Sequence, residues 1–351
     1  MYFGLGDDGV VLRDLLRDLL KEKCPPALIR QVASGSVPAA AADLWRTLAE
    51  VGVFATLLDE AHGGLGLTET AMVAVLEETG YAGVPLPTTE TVAVVVPLLS
   101  GSARSDLLDS VLSGRVILSC WLDSVTGHGR GEPLVPYGAV ATGALVATAG
   151  GVGLVDFAST GPERTVDGVR SLIRVDPSSA TPLDIDPAGI RRAVLRATVG
   201  VSAELVGLAR RMLDIAVDYV KTREQFGAPV GSFQAVKHHL ANALIAVEFA
   251  RPAVLKAGYS LATGDPDTER DVSMAKAMAS EAALTVVKLT LQCQGAIAYT
   301  TEYDHQLFAK RAWALAAAWG GATAHRQRLA GLLGLVARSD SRPVQAESAL
   351  S

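Results

Sequence analysis

Residues 219–240 read YVKTREQFGAPVGSFQAVKHHL, and no other stretch constrains the fold of this chain as strongly. An apolar-periodic run over 191–218 leads into Tyr219, Lys221, Arg223 and Gln225. Phe226-Gly227-Ala228-Pro229 then stops that helix, since Gly and Pro are the costliest residues in a helix interior. Ser232 stands at the N-cap position of the next helix. Two long helices are therefore joined by a short, rigid corner that carries an Arg, a Gln and a Phe.

Composition narrows the class. At 351 residues the chain exceeds one ordinary core, so two or three packed sub-domains are expected. A net charge of −6 offers nothing to a nucleic-acid backbone. Apolar residues make up 49% with only 5% aromatic, which suits closely packed helices rich in Ala, Val and Leu. Cys24, Cys120 and Cys293 are far apart and share no metal-ligand spacing, so a reduced, intracellular state is expected. The start, MYFGLGDDG, has no basic region followed by a long apolar core, and every Ala/Val-rich run is broken by Gly, Pro or charge before about 18 residues. The expectation is a cytoplasmic protein with no membrane span.

Along the chain, residues 1–110 form an expected N-terminal α-helical domain. Val11, Leu12, Leu15, Leu16, Leu19 and Leu20 recur at helical spacing, a second helix runs over 39–50, and Thr68 caps a third through Glu78. Another apolar helix is expected near 90–99. Residues 111–187 read as a small, shortened β domain, because short apolar runs (116–118, 140–147, 172–175) alternate with Gly, Pro, Ser and Asp. Helical periodicity returns over 188–340, with units expected at 188–226, 233–263, 267–295, 304–318 and 321–336. Thr268 with Asp271 reads as a capping box. The Ser-, Pro- and Glu-containing stretch 341–351 reads as a flexible tail. The fold class is mainly α with a small central β domain and a C-terminal long-helix domain.

The corner resembles the YxxxRxQFGxPxxxFQxxxHxLA motif of the acyl-CoA dehydrogenase family. LWRTLAEVGVFATLLDEAHGGLGLT (44–68) and LQCQGAIAYTTEYDHQLFAKRA (291–312) are similar to two further segments of that family, in the right order, so the resemblance covers nearly the whole chain. It implies an N-terminal helical domain, a β domain and a C-terminal helix bundle, FAD as cofactor and an acyl-CoA thioester as substrate. Taken alone, Arg223 would read as a surface ion pair with Glu224 or Asp218. Within the motif the resemblance makes Arg223 and Phe226 FAD contacts, with Gln225 a companion, on flavin seated in a neighbouring subunit. A guanidinium fork suits phosphate oxygens. Gln292 and Gly295 are implied in the same role, although the family's glycine-rich turn is here Gly295-Ala296-Ile297-Ala298.

The family's chemistry removes an α-proton with a carboxylate while hydride leaves the β carbon. Carrying the family spacing forward puts Trp319 at the usual Glu position, and the alternative position on the long preceding helix falls near Ala197. Glu204 is the remaining candidate base, against the simpler reading of a solvated or ion-paired helix residue. Glu302 reads as a backbone contact at a helix start, and His238 and His239 as packing and polar contacts between helices. In the stretch 119–141, Trp121 and Ser124 stand as remnants of the family's ring-holding loop. Lacking an evident base, the chain resembles the short subunits of actinobacterial heterotetrameric (α2β2) acyl-CoA dehydrogenases. Their longer partner subunit would hold the substrate, implied to be a CoA thioester of a steroid side chain or ring. Two alternatives stand beside this: a self-sufficient homo-oligomeric dehydrogenase with an atypical base, and a non-catalytic assembly subunit that binds no flavin.

Overall fold

The computed structural model describes residues 5–122, 133–157 and 161–335; Ser124 and the 341–351 tail lie outside them. The chain opens with α1 (Asp7–Lys23), α2 (Pro26–Ala33), α3 (Ala39–Glu50) and α4 (Glu69–Ala82). Of the periodic residues in α1, Leu12, Leu16 and Leu20 form the buried face, whereas Val11 and Leu15 point to solvent. Acidic residues in its first turn and lysines in its last complement the helix dipole. Prolines at position 25, 26 and 38 start α2 and α3, where a missing N–H is harmless.

Helix α4 is the axis of the molecule and is buried on nearly every side. Its three glutamates are each met by arginine from a surrounding helix. Glu69 takes Arg192 and Arg196, Glu77 takes Arg210 and Arg251, and Glu78 takes Arg17. Pairing of this kind is what permits carboxylates on a buried helix. Gly80 lets the backbone of the crossing helix come so close that a Cβ there would lie 2.3 Å from the Glu204 carbonyl oxygen. Gly207 does the same in the other direction against Glu77. A π-turn (Glu90–Val95), α5 (Val96–Ser100) and α6 (Ser105–Leu112) follow.

The strand region is a four-stranded sheet in the order β1-β3-β4-β6: β1 (Leu118–Trp121), β3 (Gly143–Thr148), β4 (Gly151–Asp156) and β6 (Thr181–Leu183). The first pair is parallel with Leu118 opposite Gly143, and the others are antiparallel. A ribbon of β2 (Leu134–Pro136) and β5 (Leu172–Arg174) shares a small core with it, made of Val135, Ala144, Val146, Val155 and Ile173. The expected strands were therefore displaced. The 116–118 run begins only at Leu118, and Val140 and Ala141 belong to the turn before β3.

The chain then returns to long helices: α7 (Pro187–Thr222), α8 (Gln234–Thr263), α9 (Thr268–Gln294), α10 (His305–Ala317) and α11 (Ala322–Leu332). Helices α7 and α8 are joined by the two-residue strands β7 (Glu224–Gln225) and β8 (Ala228–Pro229). Two expected caps are corrected. Ser232 sits in a 3-10 turn and donates to the Pro229 carbonyl, leaving Phe233 as the cap residue of α8. Thr268 donates to the Asp265 and Ser260 carbonyls, and Asp271 accepts from Ser260 and Arg270, so no capping box forms. Both hydroxyls bond carbonyls that precede them in the chain and not an amide of the helix that follows. Thr68 does hold the cap position of α4, but its hydroxyl bonds Thr70 rather than the backbone.

Candidate functional site

Two regions carry residues with chemistry. The first is a cleft of 290 Å³ between the π-turn, β1, β2, the 165–172 loop and the end of α10. Its walls are mostly apolar, with Trp121, Leu122, Leu134, Leu172 and Trp319 among them, and its charged residues are Glu90 and Arg170. Both are buried, and Arg170 Nη2 lies 3.5 Å from Glu90 Oε1. The Arg170 guanidinium also stands over the Tyr137 ring, 5.4 Å from its centroid. Behind this pair, Arg311 donates through Nε to Asp167 and through Nη1 to the Val84 carbonyl at 3.2 Å. Asp167 in turn accepts from the Val169 amide, which fixes the 165–172 loop.

Glu204 reaches this cluster from α7. It is buried, not solvated, and Thr88 Oγ1 donates to its Oε1 at 3.2 Å. Burial, reinforced by the charge of Glu90, pushes its carboxyl up to about 7. Burial also raises Glu90, against the pull of Arg170. The cluster thus sets the carboxyls of Glu90, Glu204 and Asp167 against the guanidiniums of Arg170 and Arg311. One retained proton balances it, and Glu204 is the group best placed to keep that proton. Glu204 does not line the cleft itself; Glu90 stands in front of it.

Trp319, where the family spacing places the base, lines the cleft at 8% exposure with φ +56°. That left-handed backbone is uncommon for a bulky residue. It is held from both sides. The His325 ring bonds the Trp319 carbonyl at 2.9 Å, and Lys276, fully buried, donates to the Leu315 and Ala316 carbonyls that end α10. Burial drags the Lys276 amine down to about 7. Ala197, the alternative base position, is fully buried in α7. Glu302 is exposed; its carbonyl, not its carboxylate, is engaged, accepting from Arg30. His238 is exposed, so the packing role expected for it is not realised within this chain.

The second region is the corner between α7 and α8. Arg223 and Gln225 are exposed, and Phe226 is 94% exposed with φ +54°. The surface ion pair with Glu224 or Asp218 that Arg223 would suggest outside its motif is absent among the described residues, and Asp218 faces Lys221 instead. Gln225 donates to the Glu224 carbonyl, and the Phe226 ring meets Phe233 edge-on with centroids 6.3 Å apart. Tyr219, one turn before the corner, packs edge-on against Tyr303 at 5.8 Å. That contact brings the end of α9 alongside, with Gln292 exposed and Gly295 at φ +70°. No atom lies within 4 Å of where a Gly295 Cβ would stand, so the backbone there is open.

The structure therefore brings Arg223, Gln225 and Phe226 to the same end of the helix bundle as Gln292 and Gly295. Glu204 and Trp319 belong to the other region. Glu90, Arg170, Asp167 and Arg311 escaped the sequence reading. Glu90 had a signal, being a lone acid beside the apolar run 92–99, and Arg311 lies in the matched 291–312 segment. Asp167 and Arg170 sit in a loop with no periodicity to mark them.

Comparison with known proteins agrees with the order of elements. The acyl-CoA dehydrogenase N-terminal domain family matches residues 7–105, and the C-terminal domain family matches residues 191–331. Acyl-CoA dehydrogenase IpdE2 of Mycobacterium tuberculosis is 33% identical over 305 residues, covering 86% of this chain and 90% of that protein. The solved Tcur3481-Tcur3483 steroid ACAD variant superimposes with a TM-score of 0.79 at 27% identity, over 95% of this chain and 99% of that one. The ChsE4-ChsE5 complex of Mycobacterium tuberculosis shares the fold, with a TM-score of 0.80 at 24% identity over 96% of this chain and 100% of that one. No helix among the described residues is long and apolar enough to cross a membrane. By the N- and C-terminal matches, the near full-length relative and the helix–sheet–helix fold alike, this chain belongs to the acyl-CoA dehydrogenase family.

Proposed function

We propose that the chain is one subunit of a heteromeric, FAD-dependent acyl-CoA dehydrogenase. It completes a flavin site seated in a longer partner subunit and does not carry the catalytic base. The observation that carries this reading is the Phe226 side chain, 94% exposed at the tip of a rigid corner beside an Arg223 that has no acidic partner among the described residues. A guanidinium is at home in water, but an aromatic ring held out on a left-handed backbone forgoes burial that a partner surface would supply. The FAD nucleotide fits this edge. Arg223 supplies a fork for phosphate oxygens, Phe226 a face for a flat ring, Gln225 and Gln292 side-chain amides, and Gly295 an open backbone. When bound, FAD supplies the hydride acceptor for α,β-desaturation of an acyl-CoA thioester. Trp319 at the usual base position fits a chain that leaves proton removal to its partner. Two structural neighbours are assemblies of two different proteins, one of them a steroid ACAD, which supports a heteromer, in this reading a heterotetramer, acting on CoA thioesters derived from steroids.

The test is the visible spectrum of the purified chain, alone and co-expressed with a longer acyl-CoA dehydrogenase from the same source. A colourless chain that becomes part of a yellow complex is expected, and Arg223→Ala should strip flavin from that complex. Unchanged flavin in Arg223→Ala sinks the reading in favour of an assembly subunit that binds none. A second reading, a self-sufficient homo-oligomer, is favoured by Glu204, whose carboxyl stands near neutrality one residue behind the cleft wall. It requires a yellow chain on its own whose turnover is lost in Glu204→Gln.

A further inference from the structure

A cavity of about 400 Å³ lies between α1, α4 and α8 and shares no lining residue with the cleft. Val10 and Arg13 stand one turn apart on α1, Val73 and Glu77 on α4, and Arg251 and Leu255 on α8, so one face of each helix turns to the same space. Pro252, inside α8, lines it as well. A proline there has no N–H for the Glu248 carbonyl and its ring crowds that carbonyl, so the helix is interrupted where the cavity meets it. Leu5, Val10, Val73, Pro252 and Leu255 make much of the wall apolar.

The charged part of the wall sets the sign of an occupant. Glu77 and Glu78 are buried and already served: Arg210 reaches both, Arg17 meets Glu78 at 2.6 Å and Arg251 meets Glu77 at 3.0 Å. Arg251 does so through Nε, its side chain is 44% exposed, and neither of its Nη nitrogens makes a hydrogen bond among the described residues. Arg13, 24% exposed, meets Asp14 through Nε and Nη2, which leaves Nη1 over. The guanidiniums of Arg13, Arg17, Arg210 and Arg251 thus outnumber the carboxylates of Asp14, Glu77 and Glu78 by one. A single negative charge balances this set, whereas a dianion would meet Glu77 and Glu78 uncompensated. A carboxylate has the planar shape that an arginine fork accepts. We propose that this cavity binds a small monocarboxylic acid, with its hydrocarbon body against the apolar wall and its carboxylate on Arg251 and Arg13. Its volume is within the range of small-molecule sites. The inference goes beyond the flavin reading, because the site lies within this chain and requires neither a partner nor FAD.

Ligand-observed saturation-transfer NMR on the purified full chain tests it, with hexanoate, 1-hexanol, hexylamine and acetate as probes. Hexanoate should bind saturably, roughly in the millimolar range or tighter for so few atoms. Hexanol keeps the body without the charge, acetate the charge without the body, and hexylamine reverses the charge; each should bind at least about tenfold more weakly. Arg251→Gln and Arg13→Gln should each weaken hexanoate by about tenfold, the loss expected for a hydrogen bond between charged groups, and leave hexanol unchanged. Val10→Trp fills the cavity without removing a charge and should abolish hexanoate binding. Arg13 pairs with the exposed Asp14, so Arg13→Gln and Val10→Trp keep the test intact even where Arg251→Gln fails to fold. Hexanol binding as tightly as hexanoate, hexanoate binding undiminished in the folded variants, or no saturable binding of hexanoate overturns the proposal.

Discussion

The cleft and the corner use the same residue types in opposite ways. In the cleft, Arg170 and Arg311 are buried against Glu90, Asp167 and the Tyr137 ring, and each charge is met within the chain. At the corner, Arg223 and Phe226 stand in solvent, with Phe233 as the neighbour of the ring and no acidic partner for the guanidinium among the described residues. Charges in the first region hold the fold together; those in the second are spare. Variants should therefore separate stability from cofactor retention.

The largest effect is expected at Asp167→Ala. It leaves Arg311 as an uncompensated buried cation, and the loss of one partner from such a pair costs about 3–5 kcal/mol. Denaturant unfolding monitored by circular dichroism measures it. A loss below about 1 kcal/mol would mean that water reaches Arg311, and the contrast between the regions would fail.

Next comes a pH effect. Glu204 is raised from 4.5 to about 7, so its contribution is complete below pH 4.5 and is lost as pH rises through about 7. Relative to wild type, Glu204→Gln should gain stability between pH 4.5 and 7, by on the order of 3 kcal/mol, and level off above. His305, lowered by burial to about 4, works the other way, contributing stability above pH 6.5 that is lost as pH falls to about 4. Lys276, lowered from 10.5 to about 7, contributes stability that is present above 10.5 and lost as pH falls through 7. The wild-type profile sums these opposing slopes, so the variant-minus-wild-type difference is the quantity to measure. A flat difference for Glu204→Gln between pH 4.5 and 7 would place Glu204 in contact with solvent.

Gly295→Ala should have an intermediate effect. Its φ of +70° and ψ of −151° lie in a region used almost only by glycine, so a methyl group there costs about 1–3 kcal/mol through the backbone. The space around it is open, so no steric clash adds to that cost. A measured cost near zero would show that this turn relaxes, and it would then be a poor platform for a pyrophosphate.

The two regions also differ in how far the sequence revealed them. The corner was legible because its signals are local. A helix, a Gly-Pro stop and a second helix occur within about 20 residues, and they form the two-residue strand pair seen between α7 and α8. The long helices were legible for the same reason, since each shows its periodicity along its own length. The cleft was not. Glu90, Arg170, Arg311 and Glu204 come from four separate elements, and only tertiary packing brings them together. For Glu204, helical spacing alone pointed to solvent or a surface ion pair, because it cannot show that α4 and the π-turn cover that face of α7. The cap of α8 failed on a smaller scale, where Ser232 bonds a preceding carbonyl in a turn too short for any pattern to reveal.

The smallest stability effect is expected where the effect on cofactor should be greatest. Arg223→Ala and Phe226→Ala remove side chains that contribute little to this chain's own fold, so their stability should stay within about 0.5 kcal/mol of wild type. Phe226→Gly should even gain slightly, because glycine adopts the φ of +54° without strain. If the corner serves a flavin site across a subunit boundary, these same variants should lose flavin from the assembled complex while unfolding at the wild-type denaturant midpoint. A lowered midpoint in the isolated chain would mean that Arg223 and Phe226 support their own subunit. The corner would then be a structural turn, and the case for a partner's flavin site would rest on Gln292 and Gly295 alone.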